Sequence, residues 1–294
     1  MHDHTHSSDA SSQRIGWAFA LNVGFTIIEF IGGLLTNSTA IMADAVHDLG
    51  DSLSIGTAWV LSKLSKKQAD SSFTYGYKRL SLFGALINGI VLIAGSIWVL
   101  TQAVPRLFDP VMPEAEGMLA LAILGVTVNG FAAYKLSAGT TLNEKVLNWH
   151  LLEDVLGWAA VLIVSIVLMF IEVPILDSLL AVGFTLFILF NVVINTWRVV
   201  KLFVQAVPDD GLIEKVRMEL LTITSVDAIH HEHAWSLDGE STVYTAHLEI
   251  GKPMSSNEQV ETKNQIAVIL QPFGFLHTTI ELEFPQEYCR DAKN

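Results

Sequence analysis

The sequence predicts a membrane α-helical protein with six transmembrane helices, followed by a C-terminal cytoplasmic α+β domain in the order αββαβ. Three observations predict it. Hydrophobic residues make up 51% of the chain and charged residues only 16%, well away from the balance of an ordinary soluble domain. Six segments carry on the order of 20 mostly apolar residues, each long enough as a helix to cross roughly 30 Å of hydrocarbon. After Val207-Pro208 the composition turns acidic, and no apolar run there is long enough to span.

Residues 1–14, MHDHTHSSDASSQR, are polar and read as a flexible tail carrying His2, His4 and His6. They lack the basic start and small-residue cleavage site of a secretory signal, so the first apolar helix should stay in the mature protein. The transmembrane domain, 15–208, should hold spans at Ile15–Leu35, Ala40–Lys63, Leu80–Val104, Met118–Leu136, Val146–Ile171 and Ile175–Val204. Lysines and arginines in short loops mark the cytoplasmic face. Lys63, Lys66, Lys67, Lys78 and Arg79 lie between spans two and three, Lys135 and Lys145 between four and five, and Arg198 and Lys201 beyond six. The alternate loops are TNST at 36–39, the stretch with Arg106 against Asp109, Glu114 and Glu116, and the turn with Glu172 and Pro174. These face outward, which leaves both termini cytoplasmic.

The soluble domain, 209–294, has 15 acidic against 6 basic residues. Helical spacing is expected over Glu214–Leu221 and Gln259–Leu270, and strands over Val226–Leu237, Thr242–Ile250 and His277–Phe284. A tight turn at Asp238-Gly239 joins the first two strands.

Composition also excludes function classes. The single cysteine, Cys289, removes intramolecular disulfides and every multi-cysteine metal cluster. A net charge of −13 argues against nucleic acid, whose phosphate backbone needs a basic surface. Any metal must be held by His and carboxylate, and the acidity favours cations.

Ionisable side chains inside lipid are costly and face a protein interior or an aqueous cavity, so those within the spans are the leads. Span two contains DAVHDLGD (44–51) and span five HLLED (150–154). Each places His and Asp four residues apart on one helix face. His47 and Asp51 facing His150 and Asp154 make a four-ligand site whose nitrogen and oxygen mixture suits tetrahedral zinc better than calcium or magnesium. Cobalt, cadmium, nickel and ferrous iron share these ligand types. The competing reading is that each pair is a helix-internal hydrogen bond. A metalloenzyme is disfavoured, because there is no HExxH and four protein ligands leave no open position for an activated water.

These residues resemble the cation diffusion facilitators, a family of proton-coupled exporters of zinc and related metals, over essentially the whole chain from Ile15 to Glu283. The resemblance rests on His47 and Asp51 in HDLGD, His150 and Asp154 in HLLED, Asn88 in ALINGIVLIAGSIWVL, PRLFDP after span three, and the HAWSLDGESTVYTAHLEI hairpin. It implies a transporter rather than an enzyme: a homodimer with six helices per protomer, a ferredoxin-like, metallochaperone-type cytoplasmic domain, and alternating access. Zn2+ is the implied substrate, with Cd2+, Co2+ or other divalent metals beside it, and protons are the counter-ion. His at position 47 resembles the zinc-preferring members. Some bacterial members hold a second metal between spans two and three with Asp and two His, but here that loop offers only Asp70. The loop between spans four and five is short and His-free, unlike the eukaryotic vesicular members, which points to a bacterial inner membrane. Since an imidazole must be neutral to bind metal, loading expels protons and protonation of His47 and His150 helps ejection.

Asp44, Asp48 and Glu153 flank the four ligands as pathway candidates, while Glu29, Asn22 and Asn129 can line a cavity or bond between helices. In the soluble domain a two-residue turn at Asp238-Gly239 would set His230 directly across from His247, and a four-residue loop would shift the partner by two on the same face. With Glu281, Glu283, His233 and His277 nearby, these form a candidate regulatory metal site. Zn2+ would then be regulator as well as substrate. A membrane metal sensor and a metal-stabilised structural protein are the non-transport alternatives.

Overall fold

The structure is a computed structural model that describes residues 5–65, 69–137, 142–289 and 291. Its first part is helical: α1 (Thr5–Thr36), α2 (Thr39–Ser65), α3 (Leu80–Ala103), the short α4 (Pro105–Phe108), α5 (Ala115–Ser137), α6 (Leu142–Phe170) and α7 (Ile175–Phe203). Five helical stretches are long and apolar enough to cross a membrane: Phe19–Thr36, Leu80–Phe108, Ala115–Lys135, Asn148–Phe170 and Ile175–Phe203. The expectation of six is met in part. The other expected span, α2, is 27 residues long, ample for roughly 30 Å of hydrocarbon. Its middle, however, carries Asp44, His47, Asp48 and Asp51, which dilute its apolar character.

The chain separates into two compact units, one comprising residues up to Val60 with Ile87–Thr196, the other Leu61–Leu86 with Trp197–Asn294. In the first, helices approach closely at some positions where one offers only a Cα. A Cβ at Gly95 would lie 2.6 Å from Val46 Cγ1, and one at Gly125 would lie 2.2 Å from the Trp158 ring, so α3 packs on α2 and α5 on α6 through small residues. Phe25, Ile41, Val46, Val99, Met118 and Trp158 form the buried centre. Bonding between buried polar groups fixes the helix ends, as apolar surroundings demand. Asp177, in the first turn of α7 and 1% exposed, accepts from Ser38 Oγ (2.6 Å), Thr39 N (2.7 Å), Thr39 Oγ1 (2.8 Å) and Ala40 N (3.3 Å). It thus caps α2 from another helix, at the positive N-terminal ends of both α2 and α7. Arg106 is engaged too, donating to Asn37 O at 2.7 Å and Asn37 Oδ1 at 2.6 Å.

The second unit contains a small α+β fold: α8 (Leu212–Leu220), β1 (Val226–Ser236), β2 (Thr242–Ile250), α9 (Ser256–Leu270), a 3-10 turn and β3 (His277–Glu283). The observed order is the expected αββαβ. The sheet runs β1-β2-β3, β1 antiparallel and β3 parallel to the central β2, with α9 as the crossover that a parallel pair requires. Ser255 and Glu258 close a capping box at the start of α9. Tyr244, Ala246, Leu248 and Ile250 alternate into the core with Val216, Leu220 and Ile266, which leaves His247 and Glu249 on the other face of β2.

The hairpin corrects one expectation in detail. Leu237 N bonds Ser241 O at 2.9 Å, so the turn is the three residues Asp238, Gly239 and Glu240 rather than two. Alone, that would set His231 across from His247. A bulge between His230 and His233, with His231 at φ 49°, takes up the extra residue and restores His230 opposite His247.

Candidate metal transport site

α2 and α6 bring the two His–Asp pairs together within the first unit. Asp51 Oδ2 lies 3.1 Å from His150 Nε2 and 3.5 Å from His47 Nε2, while His150 Nε2 lies 3.7 Å from Asp154 Oδ2. The closest of these approaches is between helices rather than within one pair. His47 and His150 meet edge to face, with ring centroids 5.7 Å apart. Asp51 Oδ2, His150 Nε2 and Asp154 Oδ2 are buried and make no hydrogen bond within the described residues, so the contacts are close without hydrogen-bond geometry. Ligands at about 2.0–2.1 Å from a tetrahedral zinc are roughly 3.4 Å from one another. The Asp51 distances bracket that edge.

His47, Asp51 and His150 each present one ligand atom within 4.8 Å of the others. Asp154 does not join at that distance from all three, although it is 2% exposed and one helical turn from His150. A cavity of about 710 Å³ runs along this surface, lined among others by Asp44, His47, Asp51, Glu153, Asp154 and Phe184. Asp44 therefore faces the cavity; Asp48 is buried away from its lining with Glu29. Asn22 donates to Ser52 Oγ at 3.1 Å and Asn88 to Ser54 Oγ at 2.5 Å, both bonds between helices. Phe184, which nothing in the sequence singles out, stands edge-on to His47 with centroids 5.9 Å apart.

In the second unit the structure gathers His230, His247, Glu283 and Cys289, each with a ligand atom within 4.8 Å of the rest. His230 Nε2 is 3.1 Å from Glu283 Oε2, His247 Nδ1 is 2.8 Å from Glu283 Oε1, and Cys289 Sγ is 3.6 Å from His247 Nδ1. Glu281 approaches His247 at 3.7 Å and Glu249 approaches His230 at 3.1 Å. Burial opposes the charge of Glu283, but hydrogen bonds from His247 and Cys289 and the nearby imidazoles hold its carboxyl below the usual range. Burial, together with Glu283 and Asp291, pushes the Cys289 thiol up.

His233 and His277 stay outside this group. His233 stands across from Thr245, and the His277 ring packs against Tyr75 at 5.2 Å. Cys289 was legible only as a cysteine six residues beyond Glu283; counting cysteines excluded clusters and overlooked a mixed site. Asp70 holds its own loop, accepting from Ser72 N and Phe73 N at 2.9 Å and from Tyr77 Oη at 2.6 Å. His2 and His4 lie outside the described residues, as does the side chain of His6.

Comparison with known proteins identifies the family. Residues 17–203 match the cation efflux transmembrane domain. The metal cation efflux system protein CzcD of Cupriavidus metallidurans is 30% identical over 95% of this chain and 89% of its own. The zinc transporter ZitB of Yersinia pseudotuberculosis is 30% identical over 96% and 90%, and the cadmium, cobalt and zinc/H(+)-K(+) antiporter of Bacillus subtilis 28% identical over 95% and 91%. With a matching transmembrane domain over most of the chain and relatives aligned nearly end to end, this integral membrane protein belongs to the cation efflux family, the cation diffusion facilitators.

Proposed function

We propose that this transporter carries Zn2+ out of the cytoplasm in exchange for protons by alternating access, with Cd2+, Co2+ and related divalent metals as further substrates. The observation that carries the reading is Asp51 Oδ2 standing within 3.5 Å of both His47 and His150. Two neutral imidazoles and two carboxylates satisfy zinc's preference for a four-coordinate nitrogen and oxygen shell. The same nitrogens take protons when the metal leaves, so cation and proton compete for one set of atoms. Asp154, adjacent but set apart from the other three, is the ligand that closes on the cation as it loads. Asp44 and Glu153 lie along the cavity that leads the cation in. The names of the relatives, which include cadmium, cobalt and zinc, support the substrate class. In this reading α2 is the sixth span, both termini are cytoplasmic, the membrane is a bacterial inner membrane and the chain works as a homodimer.

The experiment is flux in sealed vesicles containing only this protein. With an imposed proton gradient, zinc should move and protons should move oppositely, in proportion. A metal sensor or a metal-stabilised scaffold would bind zinc and move none, so binding without flux contradicts the reading.

A second role is favoured by one observation, the convergence of His230, His247, Glu283 and Cys289. This set suits zinc as a regulator of the soluble domain, beside its role as substrate.

A further inference from the structure

A histidine that ligates a metal usually donates its second ring nitrogen to a carboxylate, carbonyl or water, and that bond fixes the aim of the ring. His47 lacks one. Its Nδ1 is buried and makes no hydrogen bond within the described residues. Beside Asp51, the ring has two aromatic neighbours: Phe184 of α7 stands at 87° to it with centroids 5.9 Å apart, and His150 at 76° with centroids 5.7 Å apart. Such edge-to-face pairs stabilise beyond the area they bury.

Phe184 packs against the buried core of the first unit. Its ring also faces α6 at Gly157, where an added Cβ would sit in ordinary contact, 3.8 Å from Phe184 Cζ. Seven residues earlier, on the same face of α7, Asp177 fastens the N-terminus of α2 through its four hydrogen bonds. One helix therefore sets where α2 sits and, two turns on, how His47 is turned.

We infer that Phe184 is a positioning residue that aims His47 at the cation and sharpens the preference for zinc over the larger cadmium. The inference rests on the reading of His47 as a ligand. A ring held by packing is aimed by its aromatic neighbours. Loosening it costs most for a small cation that needs short bonds in a fixed tetrahedron, and less for a larger one that tolerates displaced ligands.

The test uses the full-length protein carrying His247→Ala and Cys289→Ser, so that the cytoplasmic cluster does not compete, with Zn2+ or Cd2+ alone and affinities read by chelator competition. Phe184→Leu should weaken zinc binding roughly three- to tenfold while changing cadmium binding less than about twofold. Phe184→Tyr, which keeps the ring, should retain zinc affinity. In a His47→Ala background Phe184→Leu should have no further effect, because no imidazole remains to brace. Equal losses for the two metals, or the same loss in the His47→Ala background, would mean generic packing and overturn the brace alone. If His47→Ala by itself leaves zinc affinity unchanged, the ligand assignment fails and the brace with it. Should Phe184→Leu not fold, Phe184→Met makes the same comparison.

Discussion

At the scale of single residues, the four proposed ligands are not equivalent. Asp51 touches both histidines through one oxygen, whereas Asp154 approaches only His150, at 3.7 Å. Removing Asp51 leaves two imidazoles with no shared carboxylate; removing Asp154 leaves a three-ligand set still assembled. Asp51→Ala should abolish zinc flux in vesicles while the protein still inserts, and Asp154→Ala should abolish or nearly abolish it with a smaller loss of zinc affinity. Wild-type flux in purified, vesicle-inserted Asp51→Ala would remove it from the site. The spacing of each pair was readable from the sequence because a helix puts residues four apart on one face. That Asp51 is the shared residue was not readable, since it depends on the rotation of α2 against α6.

At the scale of elements, α2 is the least apolar of the long helices, and it is secured by groups far away in the chain. Asp177 is separated by 137 to 139 residues from the donors it accepts at the start of α2. Its sequence context, a carboxylate in a first helical turn, suggests only a cap for α7 itself. Losing it strands four buried donors, and a lost cap together with unsatisfied buried groups costs about 2–4 kcal/mol. Asp177→Ala should therefore lower the thermal midpoint in detergent by roughly 5–10 °C, and an unchanged midpoint would show that the bonds contribute little. The β-hairpin teaches a related lesson. Alternation along β1 and β2 made the pairing face legible, and His230 does stand across from His247. Yet the partner came out as expected through a longer turn and a compensating bulge, and left-handed His231 has no signature that hydrophobic periodicity detects. Phe184 was equally silent, because an aromatic residue in an apolar helix reads as core until its neighbour is known to be His47.

At the scale of the whole molecule, the division into an apolar helical part and an acidic α+β domain was legible from composition alone, since lipid and water impose opposite surfaces. The membrane span of α2 was not settled by composition, because the residues that make it interesting are the ones that make it polar. The α+β domain's 15 acidic against 6 basic residues would make two copies repel one another across any shared face. Divalent cations held at His230, His247, Glu283 and Cys289 would offset that charge, so zinc should tighten dimerisation of the full-length protein in detergent. Because the Cys289 thiol is pushed up and must lose its proton to bind metal, the tightening should be greater near pH 8 than near pH 6.5, and weaker in Cys289→Ser. Sedimentation with chelator and with zinc measures it; an identical monomer–dimer equilibrium in both would eliminate regulation at this cluster and leave the membrane site untouched. The claim on which the rest depends is that zinc in transit is held by His47, Asp51, His150 and Asp154. X-ray absorption at the zinc edge tests it most directly, on full-length protein carrying His247→Ala and Cys289→Ser and loaded with one zinc per chain. The expected result is a four-coordinate shell of nitrogen and oxygen at about 2.0 Å with two imidazoles, lost in Asp51→Ala. A six-coordinate oxygen shell, or a spectrum unchanged by Asp51→Ala, would contradict it.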